Sequence, residues 1–425
     1  MRFLLIISPL FFLIVTSSTF FPYVSGKSLL LRSAISLLTI LFFTYFAYSA
    51  EFREQIISKV KDLKKNKLVL TVLVYFTLFT ISTMLAIDKF FSFWGSPERS
   101  EGWVGIFFYI LFFFLTLLLF EKKHWLWFFK ISLASGLVLF IHALVQYFGG
   151  NPRPGSLIGN PALLATYFLF VIFSALVVFY YSKIDKNKFW QWLSGMTVLL
   201  GVIGIFLTGT RGAILGLATG ILAILIYFFT FKSVKNFKKI SAILFLLTIV
   251  FSGIFLLTRK AGIWQKVPGL NRVAQISLKD STIQSRLIMA KISIDAVNPV
   301  KEGIGRFLFG RGWENYKIAW QKYYDPKLYF YDTSSFDRAH NKIFDVLVMN
   351  GILGLLAYLA IWFFYFREIF KLAPSPYNLA PVFLFFGVAF FIQNLFLFDH
   401  IASWIPFFVL IASAISYLNY DYAKK

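Results

Sequence analysis

Apolar runs of about twenty residues recur from one end of the chain to the other, separated by short polar breaks. They predict twelve spans, at roughly 3–21, 29–49, 68–87, 103–120, 126–148, 162–181, 190–207, 212–230, 240–258, 346–365, 379–398 and 401–419. Crossing a bilayer as a helix takes about 20 apolar residues. Lipid offers the backbone no hydrogen bonds, and the weak alternation of a barrel strand is absent, so helices are expected. One polar stretch, 259–342, is too long for a plain connector in a compact protein. The pattern therefore predicts an all-α polytopic membrane protein. Residues 1–258 carry spans one to nine, 259–342 a large, partly helical extracytoplasmic loop, and 343–425 spans ten to twelve. The first run lacks a convincing small-residue cleavage site and is read as a span rather than a leader.

Composition agrees with the pattern: 59% of residues are hydrophobic, 20% aromatic and only 14% charged. The net charge of +23 changes the picture only once it is located. Arg2, the loop 51–67, Lys122, Lys123 and Lys130, Lys183, Lys186 and Lys188, Lys232, Lys235, Lys238 and Lys239, Arg367 and Lys371, and Lys424 and Lys425 fall on one face. The opposite short loops hold only Lys27, Arg32, Lys89, Arg99, Arg153 and Arg211. By the positive-inside rule both termini are cytoplasmic. The excess charge then reflects orientation and contact with membrane lipids, and no nucleic-acid partner is expected. Phe52, Ile56, Val60 and Leu63 stand at helical spacing among the lysines of 51–67. They fit either a helix lying on the cytoplasmic leaflet or a frayed extension of the second span.

Two helices are expected in the long segment. Ser281 or Thr282 caps the first, whose apolar stripe is Ile283, Leu287, Ala290, Ile294 and Val297, with Arg286 one residue off it. The second runs from about Trp313 to Tyr323, with Trp313, Tyr316, Trp320 and Tyr323 on one face. That face reads as packing or as a platform for sugar rings.

The residues that carry chemistry fall on the outer face of this topology. Arg211 follows Thr208-Gly209-Thr210 between two spans with almost no loop. It is either an interfacial arginine reaching for headgroups or a fixed guanidinium fork for phosphate or carboxylate. His340-Asn341 precede a span, with nine residues before Gly351. His340 is either a satisfied interfacial histidine or a general base. Asn341 orients a substrate or the loop, and Gly351 and Gly354 allow close helix packing. Asp399 and His400 lie between the last two spans, while His124 and His142 read as structural. There are no cysteines, and no His-x-x-x-His, acidic triad or Asp-x-Asp stands out, so neither metal nor cofactor is expected.

Several of these pieces together resemble one family. They are Trp94-Gly95-Ser96-Pro97-Glu98-Arg99-Ser100-Glu101-Gly102, Gly159-Asn160-Pro161, Thr208-Gly209-Thr210-Arg211-Gly212, Ser285-Arg286-Leu287, Phe309-Gly310-Arg311-Gly312-Trp313-Glu314-Asn315-Tyr316, and His340-Asn341. In order and placement they resemble the O-antigen ligase and polymerase superfamily of bacterial membrane glycosyltransferases, and the related protein O-oligosaccharyltransferases. The resemblance implies a C-type glycosyltransferase fold in the inner membrane and a polyprenyl (undecaprenyl) diphosphate glycan donor. It implies transfer to a glycan, lipid or protein hydroxyl, without a metal and with inversion. By motif position, Arg211 and Arg286 hold the diphosphate and His340 activates the acceptor. Arg99, Arg153, Asn160, Arg311 and Asn341 are the lesser candidates for binding substrate. Thr210 departs from the serine more usual before the arginine but keeps a hydroxyl. The alternatives are a polymerase, a protein-glycosylating member, a member of the peptidoglycan-polymerising cell-shape family with a catalytic carboxylate among Asp280, Asp295 and Asp337, or a transporter. A transporter should show repeated halves and broken helices, and neither is visible in the sequence.

Overall fold

A computed structural model describes residues 1–230, 235–277, 279–371 and 378–422, with side chains omitted for 230, 235–238 and 418–422. Of the basic residues used for orientation, Lys232, Lys424 and Lys425 lie outside the described residues. Every regular element among the described residues is helical. Eight helices are long and apolar enough to cross a membrane, and four shorter apolar helices lie at Arg2–Leu13, Trp103–Leu119, Ala380–Asn394 and Ile401–Tyr417. These occupy the positions of the twelve predicted spans.

The first falls short of its predicted length. Helix Arg2–Ile7 tightens into a 3-10 segment at Ser8–Leu13, with Pro9 in its first turn, and the chain then leaves helical geometry. Six α-helical and six 3-10 residues span only about 21 Å of the roughly 30 Å hydrocarbon core. Beyond Leu13, Thr16 bonds to the carbonyl of Pro22 and to Thr19, a local competition with the helix that threonine favours. The buried Lys27 ammonium then ties the strap down by donating to the carbonyls of Ile14, Tyr23 and Leu157 at 2.7–2.9 Å.

The basic stretch after the second span is a helix of its own, Ala50–Leu63, not a frayed extension. Ser49 is extended and its hydroxyl accepts from the Phe52 amide at 3.2 Å. Ile56 is buried and Phe52, Val60 and Leu63 pack against the core, while Arg53, Lys61, Lys64 and Lys65 are exposed.

Helix Pro161–Ile184 is the hub of the bundle. It packs on Lys188–Thr208, Lys122–Phe148, Ala380–Asn394 and Ile401–Tyr422. Gly204 lets the ring of Phe168 in, since a Cβ there would sit 2.6 Å from it. Gly212, Gly216 and Gly220 form a second small-residue stripe along Arg211–Thr230. Added Cβ atoms would meet Gln393 Oε1 at 2.5 Å, the Ala389 carbonyl at 2.5 Å and the Phe385 carbonyl at 2.8 Å. Close backbone approach of this kind is how helices gain contact where lipid supplies no hydrophobic drive. It fixes the start of the Arg211 helix against the end of Ala380–Asn394.

Helix Lys342–Lys371 is interrupted at Gly351, with φ 70° and ψ −174°. The close packing expected of Gly351 is present, against Leu308 and Phe309, while the break corrects the absence of broken helices. The carbonyls of Val348 and Met349 accept from the amides of Arg311 and Gly312, each at 2.9 Å. The break thus receives the chain's own Phe309–Gly312 loop. Gly351→Ala is expected to cost about 1–3 kcal/mol, because that conformation is nearly glycine-only. A Cβ would also lie 2.3 Å from the Leu308 carbonyl oxygen. An unchanged thermal unfolding curve in detergent would contradict this.

The long segment holds short helices at Gly262–Gln265, Leu270–Ala274, Ser281–Asp295, Pro299–Phe309 and Tyr316–Lys322, and a 3-10 turn at Pro326–Phe330. Both expected helices are present, with two differences. Asp280, not Ser281 or Thr282, caps the first, accepting from the Thr282 amide at 2.9 Å. The buried face is Ser285, Met289, Ile292 and Ser293, whereas Leu287 and Ile294 are exposed. Ser285 and Ser293 donate to the carbonyls of Thr282 and Met289. Their hydroxyls are thereby satisfied and they bury like small apolar residues. The second helix starts at Tyr316, three residues later than expected, and Trp313 before it and Tyr316 are both buried, which favours packing over a sugar platform for that end of the stripe.

Candidate active site

The loops assigned to one face by the alternation of spans are hydrogen-bonded to one another. Those bonds join the loops before Trp103, Arg211 and Ile401 to the long segment, and the loop before Pro161 to the Arg211 turn. At the opposite end Arg2 donates to the Leu119 carbonyl at 3.0 Å and pairs with Glu121, and Lys59 donates to the Leu118 carbonyl at 2.7 Å.

The turn Thr208–Arg211 is the centre of the first group. Gly209 ends its helix in the left-handed region, φ 60°, which glycine adopts without strain. Arg211 opens the next helix, whose free amides favour anions. Three arginines tie to this turn. Arg153 Nε donates to the Thr208 carbonyl at 3.2 Å, a guanidinium nitrogen of Arg272 to the Gly209 carbonyl at 3.1 Å, and Arg211 Nε to the Arg272 carbonyl at 2.8 Å. Among the described residues the one carboxylate bonded to the group is Asp280, 3.0 Å from the Arg211 guanidinium. Burial lowers the pKa of Arg153, and Arg272 and Arg211 lower it further; burial and then Arg211 do the same to Arg272. Guanidinium pKa values lie so high that all stay charged. The group is a repelling cluster, and an anion placed in it relieves the repulsion.

Arg286 connects this group to the histidine. Its two terminal nitrogens donate to the carbonyls of His340 at 3.2 Å and Phe396 at 3.0 Å. Burial and then the charge of Arg211 lower its pKa. His340 has φ 54°, a conformation uncommon outside glycine and one that clusters at functional positions. Its ring stands edge-on to Phe336 at 5.5 Å and Phe398 at 5.0 Å. Burial, then Arg286 and Arg99, lower its pKa to about 4, against the opposing pull of Asp337 and Asp332. The imidazole is therefore neutral at neutral pH.

Arg286, Arg211, Arg153 and His340 are thus brought together, and the other predicted residues are placed otherwise. Arg99 lies over the Phe398 ring that also meets His340, but its fork is bidentate on Asp337 at 2.8 and 2.9 Å. Burial works to raise the pKa of Asp337, and the Arg99 hydrogen bonds with the Arg338 charge overcome it, lowering it to about 2. That pair contributes fully above the ordinary carboxylate value near ~3.9 and is lost only as pH falls through its depressed value. Asn160 and Asn341 cap helices: Asn160 accepts from the Ala162 amide at 2.8 Å, and Asn341 from the Ile343 amide at 2.9 Å. Arg311 is not brought to the cluster. It is buried with Glu302 at 2.6 Å, and its Nε donates to the Ala296 carbonyl. Asp399 is buried against Lys342, and His400 Nδ1 accepts from the Ala402 amide at 3.2 Å.

The sequence reading missed Arg272, Asp280 as the partner of Arg211, and the turn carrying Phe396 and Phe398. Arg272 lies in a five-residue helix after Pro268-Gly269, too short for any periodicity. Phe396 and Phe398 are hidden among the 55 phenylalanines.

Comparison with curated proteins returns no match. Residues 196–359, which include Arg211, Arg272, Arg286 and His340, match the family described as O-antigen ligase. With the helical bundle and its apolar spans, that match supports placing this multi-pass membrane protein in the O-antigen ligase-related superfamily.

Proposed function

We propose that the protein is a metal-independent, inverting glycosyltransferase that moves a glycan from a polyprenyl diphosphate carrier to an acceptor hydroxyl, as a ligase-type enzyme. The observation that carries this reading is the arginine cluster around the Thr208–Arg211 turn, joined through Arg286 to the neutral His340. Arg211, Arg286, Arg153 and Arg272 hold the donor's diphosphate. The His340 imidazole takes the acceptor proton as its oxygen bonds to the anomeric carbon. The bond from that carbon to the diphosphate breaks, and the lipid diphosphate leaves with the electron pair. Charge grows on the leaving group as the bond breaks, and guanidinium groups already fixed by carbonyl hydrogen bonds stabilise it without reorganising. The excess of Lys and Arg on the opposite loops supports cytoplasmic termini and an extracytoplasmic site in the plasma membrane.

The test is transfer by purified protein with a diphosphate-linked lipid glycan and EDTA, products sorted by mass. Glycan on an acceptor other than lipid diphosphate, with free lipid diphosphate, is the expected result. Lengthened glycan still on lipid diphosphate would make the enzyme a polymerase. Lipid movement between leaflets without turnover would replace the reading with a transporter.

A further inference from the structure

The turn after helix Ala380–Asn394 meets Arg286, the start of the Arg211 helix, Arg99 and His340, and it lies beyond the matched residues 196–359. The Phe396 carbonyl accepts from Arg286 at 3.0 Å, and its ring lies 5.7 Å from the same guanidinium. The start of the Arg211 helix rests on it too, since a Cβ at Gly212 would meet Phe396 Cβ at 2.9 Å. Two residues on, the Phe398 ring has the Arg99 guanidinium over it at 4.0 Å and the His340 ring edge-on at 5.0 Å. Phe398 is 8% exposed.

We propose that Phe398 is a positioning residue for glycan transfer, its ring seating both the Arg99–Asp337 pair and the His340 imidazole. The proposal rests on the reading of His340 as the base. The backbone of His340 is held by Arg286 and that of Asn341 by its own cap, but among the described residues the imidazole itself meets only Phe336 and Phe398 as ring contacts. A guanidinium over a ring face is held by the ring's quadrupole, and an edge-on ring pair has a preferred geometry. One phenylalanine therefore fixes both the direction of the imidazole and its separation from water. The charged groups acting on that imidazole are Arg286 from helix Ser281–Asp295, Arg99 from the loop before Trp103, and Asp332 and Asp337 from the end of the long segment.

The experiment compares wild type, Phe398→Ala and Phe398→Tyr in detergent, with two readouts. The first is the rate of diethyl pyrocarbonate modification of His340, followed by mass of its peptide across pH, because only the neutral ring reacts. Wild type should react at a rate flat from pH 8 down to about 5, as a ring of depressed pKa must. In Phe398→Ala the rate should fall with a midpoint moving toward the ordinary 6.5, and Phe398→Tyr should restore the wild-type curve. The second is transfer: Phe398→Ala should lose about 10–100-fold in kcat, the size of effect that a misplaced catalytic group produces. Donor KM should stay nearly constant, since the side chains of Arg211, Arg286, Arg153 and Arg272 have their hydrogen bonds to groups other than the Phe398 ring. An unchanged modification curve in a folded Phe398→Ala protein overturns the proposal. A shifted curve in a protein that transfers no glycan supports the seating of His340 by Phe398 and counts against the transferase reading instead.

Discussion

Arg211→Ala is expected to abolish detectable glycan transfer, by about 10²–10³-fold or more in kcat, the loss seen when one preorganised donor to a developing anion is removed. The side chain has two structural partners, the Arg272 carbonyl and the Asp280 carboxylate. Both belong to the long segment, so its removal loosens that segment where it meets the turn. The helix below remains locked by Gly216 and Gly220 against Ala380–Asn394, and the variant should insert and purify like wild type. Arg211→Lys keeps the charge and loses the planar fork, and it should recover only part of the rate. Initial rates with purified protein check both. Near-normal product from Arg211→Ala in a complementation assay would remove the cluster from the chemistry.

His340→Ala should lower kcat by about 10²–10⁴-fold, the range for a positioned general base, with little change in donor KM. Its pH behaviour is more specific. Burial and the charges of Arg286 and Arg99 lower the pKa of the ring to about 4 in the free protein. In the unfolded chain it titrates near ~6.5, so the unfolded state binds more protons between the two values. His340 therefore destabilises the fold as pH falls through that window, and its effect vanishes above it. In kcat/KM, which reports the free enzyme, the acidic limb should lie near the depressed value. A bound diphosphate neutralises Arg286 and weakens one cause of that depression. In kcat, which reports the loaded enzyme, the limb should sit higher and the imidazole should be a stronger base. On this account donor binding would activate the base. Identical limbs for kcat and kcat/KM, or normal turnover by His340→Ala, would remove this role.

Much of the architecture was legible because apolar length and basic loops obey strong physical constraints. The twelve apolar segments follow from the demands of lipid, and short motifs at loop ends pointed to Arg211, Arg286 and His340, the last two of which a hydrogen bond joins. What escaped the sequence was decided by tertiary contact. Arg272 sits in too short a helix to announce a face. Asn160, Asn341 and Arg99 have the composition of substrate-binding residues, but their polar atoms meet helix amides or Asp337. Arg311 looked like a companion of Arg211, yet the break at Gly351 draws its loop inward and buries it beside Glu302. The apolar stripe of Ser281–Asp295 was misread because two serines, satisfied by carbonyls of their own helix, take the buried face. That same rotation brings Arg286 to His340.

The central claim is that the lipid diphosphate sits in the arginine cluster at the Thr208–Arg211 turn. Its most direct test is a structure of the protein with a non-transferable polyprenyl diphosphate glycan analogue bound. The account predicts both phosphates within hydrogen-bond distance of Arg211 and Arg286, with Asp280 displaced from Arg211 and the anomeric carbon facing the His340 ring. Phosphates bound elsewhere, with the Arg211–Asp280 pair intact, would contradict it.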